Sequence, residues 1–161
     1  MERFEMGQRE LSESKKKLFS LEKEGIYVFH GSPTADILKL EPRQAHTIPE
    51  GEQYKVPDGE PGIAATPYAE IAIFRGLIRR GRSGFSLDKG EPSFKATQKA
   101  LRRAHDISGF VYVLRREEFS PKNGHISDMD WRSTTSVKPL MIIPVTYRDL
   151  PDIIKIIPDD K

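Results

Sequence analysis

The chain of 161 residues contains no cysteine, which excludes a disulfide framework, a thiolate metal site and a cysteine nucleophile. No apolar run approaches the ~18 residues that a membrane-spanning helix needs. Residues 1–6 are charged and lack the apolar stretch of a signal peptide. We therefore expect a cytoplasmic protein, and the length predicts a single domain over residues 1–161.

Common motifs for phosphate binding and catalysis are missing as well. The chain has no Gly-x-x-x-x-Gly-Lys-Ser/Thr loop, no Gly-x-Gly-x-x-Gly loop and no Gly-x-Ser-x-Gly turn. Its 4 histidines, at positions 30, 46, 105 and 125, never stand at the spacing of paired metal ligands. The sequence therefore predicts no metal site.

Charge is nearly balanced overall but uneven along the chain. The net charge is +2, from 26 basic and 24 acidic residues, yet residues 75–103 hold nine basic and two acidic residues. A basic stretch on a nearly neutral chain is typical of a surface that faces phosphates. The alternative interpretation is a solvated helix face followed by a lysine-rich loop, which needs no ligand.

Apolar spacing predicts a helix over residues 8–24. Leu11, Leu18 and Leu21 form a narrow apolar stripe, and Gly25 is a suitable residue to end the helix. The even mixture of charges suits a helix that lies on the domain or packs against a partner chain. We interpret residues 1–25 as an N-terminal helical extension of the domain.

Short strands, loops and two further helices are predicted after this extension. Thr66 and Pro67 are suitable N-cap and first-turn residues for a helix from about Tyr68 to Arg80. A second helix is expected over residues 94–104 and a loop over residues 81–92. Strands are predicted at residues 26–29, 62–66, 109–114, 140–145 and 153–157. Because the strand–helix–strand alternation of a doubly wound sheet is missing, the pattern indicates an α+β fold.

The segment from residue 47 to 61 is polar and rich in glycine and proline. Long loops of this composition are uncommon inside a domain and are usually functional. We expect this segment to be mobile without a ligand and ordered with one.

The motif His30-Gly31-Ser32 is the strongest candidate for a functional site. It follows a run of four β-favouring residues and precedes the long loop. Glycine lets a ligand or another backbone approach closely, and its N–H and C=O can pair with a planar amide. An isolated histidine at a strand end is more often structural, but this context favours a pocket.

These residues resemble the ADP-ribosyltransferase family. The resemblance rests on Tyr27-Val28-Phe29-His30-Gly31-Ser32-Pro33-Thr34, then Ile37-Leu38-x-Leu40, then Pro61-Gly62-Ile63-Ala64-Ala65-Thr66. It is closest to the branch with poly(ADP-ribose) polymerases, rifampin ADP-ribosyltransferases and RNA 2′-phosphotransferases. The family fold implies two small, packed, mainly antiparallel sheets with flanking helices, NAD as a substrate, and no metal.

The resemblance also implies roles for individual residues. His30 matches the histidine that binds the nicotinamide-side ribose of NAD, and Gly31 matches the glycine that pairs with the carboxamide. Ser32 matches the small hydroxyl residue that follows. Phe74 falls near the aromatic residue that stacks on nicotinamide, although a core position explains it equally well.

Two positions depart from the family pattern. Ala64 replaces a tyrosine that forms one wall of the nicotinamide site, and Tyr68 is the nearby residue that could compensate. The segment 132–139, where the catalytic carboxylate usually stands, has no acidic residue. Glu118 and Asp130 are the nearest acids that could take its role, which is to orient a ribose hydroxyl and stabilise positive charge in the transition state.

Three functions therefore stay open. The first is transfer of ADP-ribose from NAD to an unknown acceptor, with release of nicotinamide. The second is a relative that modifies or binds nucleic-acid ends or phosphates, which would be held by arginines. The third is a catalytically degenerate module that binds nucleotides or protein partners. The arginines of the second alternative are Arg79, Arg80, Arg82, Arg102 and Arg103.

Overall fold

The structure is a computed structural model that describes residues 10–43, 60–78 and 82–159, and the backbone of three short strands elsewhere. The described helices are α1 (Glu13–Glu24), α2 (Ala69–Leu77) and α3 (Gln98–His105). The strands are β1 (Arg3–Glu5), β2 (Tyr27–Ser32), β3 (His46–Thr47), β4 (Val56–Pro57), β5 (Ile63–Ala65), β6 (Ser83–Asp88), β7 (Glu91–Thr97), β8 (Ser108–Arg115), β9 (Ser120–Pro121), β10 (Trp131–Ser133), β11 (Met141–Thr146) and β12 (Ile153–Ile157).

The architecture is α+β, with three small and mostly antiparallel sheets. Their strand orders are β11-β8-β2, β5-β10-β9 and β1-β12-β7-β6, and a separate hairpin joins β3 to β4. One pair, β12 with β7, is parallel. The expectation of two sheets is thus wrong in number, because β6, β7 and β12 join β1 in a four-stranded sheet of their own.

Helix α1 is part of the core. Ser12 caps its first turn by accepting a hydrogen bond from the Lys15 N–H (3.0 Å), and Gly25 ends it in the left-handed conformation. Leu18 and Leu21 are buried in the same cluster as residues of α2 and of the sheet β11-β8-β2, which we call the central sheet. The helix therefore stabilises the fold directly, and residues 13–24 are more than an extension.

Buried polar contacts fix α1 to its neighbours. The Lys15 ammonium is almost fully buried, donates to the Leu150 carbonyl (3.1 Å) and lies 3.5 Å from the Glu70 carboxylate. Glu22 accepts a hydrogen bond from the Ala69 N–H (2.6 Å), the first residue of α2. Because α2 has no side-chain cap from its own segment, α1 provides the cap.

Residues 83–97 form a hairpin, so the predicted loop over 81–92 and the predicted helix over 94–104 are both wrong there. Lys89 and Gly90 take positive φ angles and close the turn between β6 and β7. Phe94 and Ala96 alternate inward along β7, which is a strand period. Helix α3 begins only after Thr97, whose side chain accepts a hydrogen bond from the Ala100 N–H (3.1 Å).

Glycines let α2 lie directly on the central sheet. A methyl group added at Gly31 would overlap the Ala72 carbonyl oxygen and come within 2.8 Å of the Gly76 nitrogen. On the next strand, a methyl group at Gly109 would lie 2.6 Å from the Gly76 carbonyl oxygen. Both obstacles are backbone atoms, which cannot turn aside as a flexible side chain can. Helix α2 therefore packs backbone to backbone on β2 and β8.

We predict that Gly31→Ala lowers the free energy of unfolding by ~3 kcal/mol, because the helix must move off the sheet. Gly90→Ala is the matched control: its turn is open, so only backbone strain of ~1 kcal/mol is expected. Thermal and denaturant unfolding measure both effects. Equal losses in the two variants would contradict the close packing of α2.

Candidate functional site

A cavity of about 750 Å³ opens between β2, β5, α2 and the segment that follows β2. We call it the main cavity. His30, Gly31 and Ala64 line it, and so do Arg75 of α2 and Asp130, which precedes β10. The motif that was predicted from sequence therefore lies on the wall of the main cavity.

His30 lies inside β2, because the strand continues to Ser32 rather than ending at Phe29 as predicted. Its Nδ1 atom is 2.6 Å from the Ala64 carbonyl oxygen. Since a carbonyl only accepts hydrogen bonds, Nδ1 carries the hydrogen, and in the neutral ring Nε2 is an acceptor. The ring is half-buried and lines the main cavity.

The neutral form of His30 is favoured in the folded protein. Burial lowers the pKa of His30, and the nearby guanidinium groups of Arg75 and Arg43 lower it further. The hydrogen bond to Ala64 opposes this shift but does not reverse it. At neutral pH the ring therefore offers an uncharged acceptor, which suits a hydroxyl group.

The backbone of Gly31 faces the cavity side of β2. Phe29 uses its N–H and C=O for two hydrogen bonds with Thr66, the residue after β5, at 2.7 and 2.9 Å. Backbone groups alternate between the two edges of an antiparallel strand, so those of Gly31 point to the same edge, away from β8. Gly31 lines the main cavity on the side of β2 that faces β5. The N–H donor and the C=O acceptor of Gly31 are therefore adjacent at the wall of the main cavity.

Tyr112 holds the segment after β2 in place. Its hydroxyl donates to the Thr34 carbonyl and accepts from the Ile37 N–H (3.2 Å). Its fully buried ring meets the His30 ring edge to face, with 6.3 Å between centroids. Ser32 is buried and its hydroxyl accepts from the Thr34 N–H (3.1 Å). Ser32 therefore shapes the turn beside the cavity.

Basic residues outnumber acidic ones on the cavity wall. Lys39, Arg43, Arg75 and Arg132 contribute four positive charges, and Glu41 and Asp130 contribute two negative ones, a net +2. A cavity of this charge favours an anionic ligand.

Sequence reasoning singled out two candidate acids, Glu118 and Asp130. Of these, Asp130 lines the main cavity and Glu118 does not. Two guanidinium nitrogens of Arg132 bind the Asp130 carboxylate at 2.8 and 3.0 Å, and the Lys122 ammonium lies at 3.8 Å. Glu118 is exposed in a single 3-10 turn, Arg116–Glu118, and lines a different cavity.

The predicted aromatic residues do not line the main cavity. Phe74 is buried against Phe85 and Phe94, with centroids 6.3 and 5.0 Å away, so its core interpretation is confirmed. The Tyr68 hydroxyl donates to the Ser127 carbonyl (3.1 Å), and Tyr68 does not line the main cavity. Phe85, which sequence reasoning missed, is half-buried and does line the cavity.

Sequence reasoning missed Arg43, Arg75 and Arg132 as site residues, and long-range pairing brings two of them, Arg43 and Arg132, to the cavity. Arg43 bridges to Gly62, and Arg132 lies opposite Ala64 in the β10–β5 register. Neither pairing has a local sequence signal. Arg75 stands one turn after Ile71 on the face of α2 that meets the cavity, which helical spacing alone could have indicated.

A second cavity of about 380 Å³ meets the main cavity at Gly62 and Arg132. Its wall carries the carboxylates of Glu60 and Glu118, the Lys122 ammonium and several hydroxyl groups. The hydroxyl-bearing residues are Ser120, Ser133, Thr134 and Thr135.

The remaining predictions concern the basic stretch and the long loop. Arg102 and Arg103 are exposed on α3, and Arg82 is exposed before β6. Arg79 and Arg80 lie outside the described residues, and so does most of the 47–61 loop. In the described part of the chain, no group of three His, Asp or Glu side chains could hold a metal ion, and no helix is long and apolar enough to cross a membrane.

The chain was compared with known protein families, with curated proteins and with solved structures, and none of these comparisons found a match.

We predict that Arg75→Gln raises the pKa of His30, because a neighbouring positive charge is removed. The folded-state pKa lies below the unfolded value of ~6.5, so the stability from this residue is complete above pH ~6.5 and falls as pH drops. Proton NMR of the ring measures the pKa. Arg102→Gln, on the exposed face of α3, is the control and should leave the pKa of His30 unchanged. If Arg75→Gln also leaves that pKa unchanged, Arg75 has no electrostatic effect on His30 and the prediction is wrong.

We also predict that Tyr112→Phe loosens the segment 34–37, because two hydrogen bonds to its backbone are lost. Amide hydrogen exchange at Ile37 should become at least severalfold faster, at a stability cost of ~1–2 kcal/mol. Tyr27→Phe is the matched control on β2, and it should leave Ile37 exchange unchanged. Unchanged exchange in both variants would show that Tyr112 does not hold this segment.

Proposed function

We propose that the chain has an ADP-ribosyltransferase-like fold, binds NAD in the main cavity, and transfers ADP-ribose to an acceptor with release of nicotinamide. One observation carries the proposal. The neutral acceptor nitrogen of His30 and the backbone pair of Gly31 stand next to each other on one cavity wall. A ribose hydroxyl donates to the first, and a planar carboxamide, which is both donor and acceptor, matches the second.

Charge and size support a dinucleotide. The net +2 charge of the cavity wall suits a pyrophosphate, and arginine binds phosphate oxygens with paired N–H groups. The volume of about 750 Å³ lies within the range of ~300–1,000 Å³ that is usual for small-molecule and cofactor sites. Phe85 offers an aromatic surface at the wall, with the Arg75 guanidinium 5.5 Å from its ring centre.

The carboxylates of the cavity set an expectation for the chemistry. Breaking the bond between ribose and nicotinamide develops positive charge on the sugar, which a fixed negative charge stabilises. Asp130 is the acid best placed for this role, but Arg132 and Lys122 already compensate most of its charge. Glu41 accepts a hydrogen bond from Ser136. We therefore expect the chain to bind NAD tightly and to turn it over slowly. This behaviour is close to that of the degenerate module of the third alternative.

The test is a calorimetric titration of the protein with NAD, repeated with His30→Ala. Loss of a buried hydrogen-bond partner should weaken binding about tenfold, within the usual ~1–3 kcal/mol. His125→Ala is the matched control, because His125 is exposed and away from the cavity. Absence of NAD binding, or equal affinity in both variants, would overturn the proposal.

Release of nicotinamide separates binding from catalysis. Asp130→Asn should reduce the rate of nicotinamide release at least tenfold while changing NAD affinity less, since its charge acts in the transition state. Glu117→Gln, a neighbouring exposed acid outside both cavities, is the control. Undetectable release from the unaltered protein, together with tight NAD binding, would identify the degenerate module.

A nucleic-acid ligand is the second candidate, favoured by the basic face of α3. Lys99, Arg102 and Arg103 are all exposed there. Binding through phosphates would weaken by ~10³–10⁵ between about 50 and about 200 mM salt, whereas binding of NAD in the main cavity should depend on salt far less. Fluorescence anisotropy with a labelled oligonucleotide makes this comparison.

A further inference from the structure

The segment 122–130 connects β9 to β10 and ends at the wall of the main cavity. Its last two residues, Met129 and Asp130, line that cavity, whereas residues 122–127 are exposed. The Lys122 N–H donates to the Asp130 carbonyl (2.9 Å) and closes the base of the segment as a loop. The position of the two cavity residues therefore depends on what holds this loop.

Arg116, in the 3-10 turn after β8, contacts both the loop and the strand that follows it. Its guanidinium nitrogens donate to the carbonyls of Gly25 (2.9 Å) and Ile126 (3.4 Å). The guanidinium carbon lies 4.4 Å from the centre of the Trp131 ring. A planar guanidinium group can stack on an aromatic ring and still donate from its edge, which a lysine ammonium cannot do. Arg116 therefore joins the turn after α1, the loop 122–130 and β10.

Trp131 links this arginine to the cavity wall. Its ring is buried, and its indole N–H donates to the Asp128 carbonyl (2.9 Å). Successive side chains of a strand point to opposite faces, so Trp131 and Arg132 point in opposite directions. Trp131 does not line the main cavity, whereas its neighbours Asp130 and Arg132 do. Holding the Trp131 ring therefore fixes the backbone from which the ion pair of Asp130 and Arg132 extends.

Resting on the proposed function, we propose that Arg116 is a positioning residue, which holds Asp130 in place to stabilise positive charge on the ribose during transfer. Arg116 itself lines neither the main cavity nor the second one. Electrostatic stabilisation needs fixed geometry, and a displacement of ~1 Å by a remote change can slow a reaction ~10²-fold. The groups proposed to bind NAD, on His30 and Gly31, do not contact Arg116. Loss of Arg116 should therefore slow the reaction more than it weakens binding.

The first experiment uses the protein without NAD. Trp131 is the single tryptophan of the chain, so its fluorescence and its indole N–H signal report on this contact alone. Arg116→Gln should shift the Trp131 emission, make exchange of the indole N–H severalfold faster and move the backbone amide signal of Asp130. Arg116→Lys keeps the positive charge and should restore these signals in part. An Asp130 signal that Arg116→Gln leaves in place would overturn the proposal.

The matched control is Arg115→Gln, which should change none of these signals. Arg115 is the preceding residue, is exposed, and has no side-chain contact with the described part of the chain. If Arg116→Gln does not fold, Arg116→Lys provides the same comparison, because it loses the second donor and the stacked plane but keeps the charge. A lysine variant that is identical to the unaltered protein in all three signals would then overturn the proposal.

The second experiment measures NAD binding by calorimetry and nicotinamide release with the same variants. Arg116→Gln should lower the rate of release at saturating NAD about tenfold and change NAD affinity less than about twofold. Equal losses of rate and affinity, a rate equal to that of Arg115→Gln, or no release from the unaltered protein would overturn the positioning role. If NAD does not bind, the proposed function fails, while the signals of Trp131 and Asp130 without NAD still decide whether Arg116 holds this wall.

Discussion

The contact of α2 with the central sheet is the constraint on which the rest of the structure depends. Gly31 and Gly109 leave no side chain between the helix and strands β2 and β8, so the helix backbone lies directly on the sheet. This short distance brings Ala72 and Arg75 to the cavity wall, next to His30. A helix held farther away by an intervening side chain would remove one wall of the site.

Polar groups around this contact have two distinct uses. On the side of α1, buried Lys15 lies beside Glu70 and half-buried Glu22 accepts from the Ala69 N–H, so both residues hold the start of α2. On the cavity side, two nitrogens of Arg132 bind the Asp130 carboxylate. Among the described side chains, no carboxylate lies within ion-pair distance of Arg43 or Arg75. The first group stabilises the fold, and the second shapes the charge that a ligand meets.

The elements that depend on local sequence patterns were predicted from the sequence. The strand that bears His30 and the strands β8, β11 and β12 follow from apolar runs. Helix α2 was expected as well, but it begins at Ala69 and is capped by Glu22 of α1 and not by Thr66 as predicted. Gly31 was singled out for the approach of a ligand, whereas the structure shows that the close approach of α2 requires a glycine there. The hairpin β6–β7 was missed since its inward residues alternate weakly, and the Arg132–Asp130 pair was missed since its place depends on long-range strand register.

The sheet β1-β12-β7-β6 has a consequence for the order of folding. Strand β12, residues 153–157, lies between β1, residues 3–5, and β7, residues 91–97. During synthesis on the ribosome, β1 therefore has no strand partner in this sheet until β12 has emerged. Strand pairs that are this distant in sequence form slowly, because the entropy cost of closing a long loop comes before the stabilising contacts are made. The central sheet β11-β8-β2 can assemble first, so the ligand cavity is expected to take shape before the strand order of this outer sheet is complete.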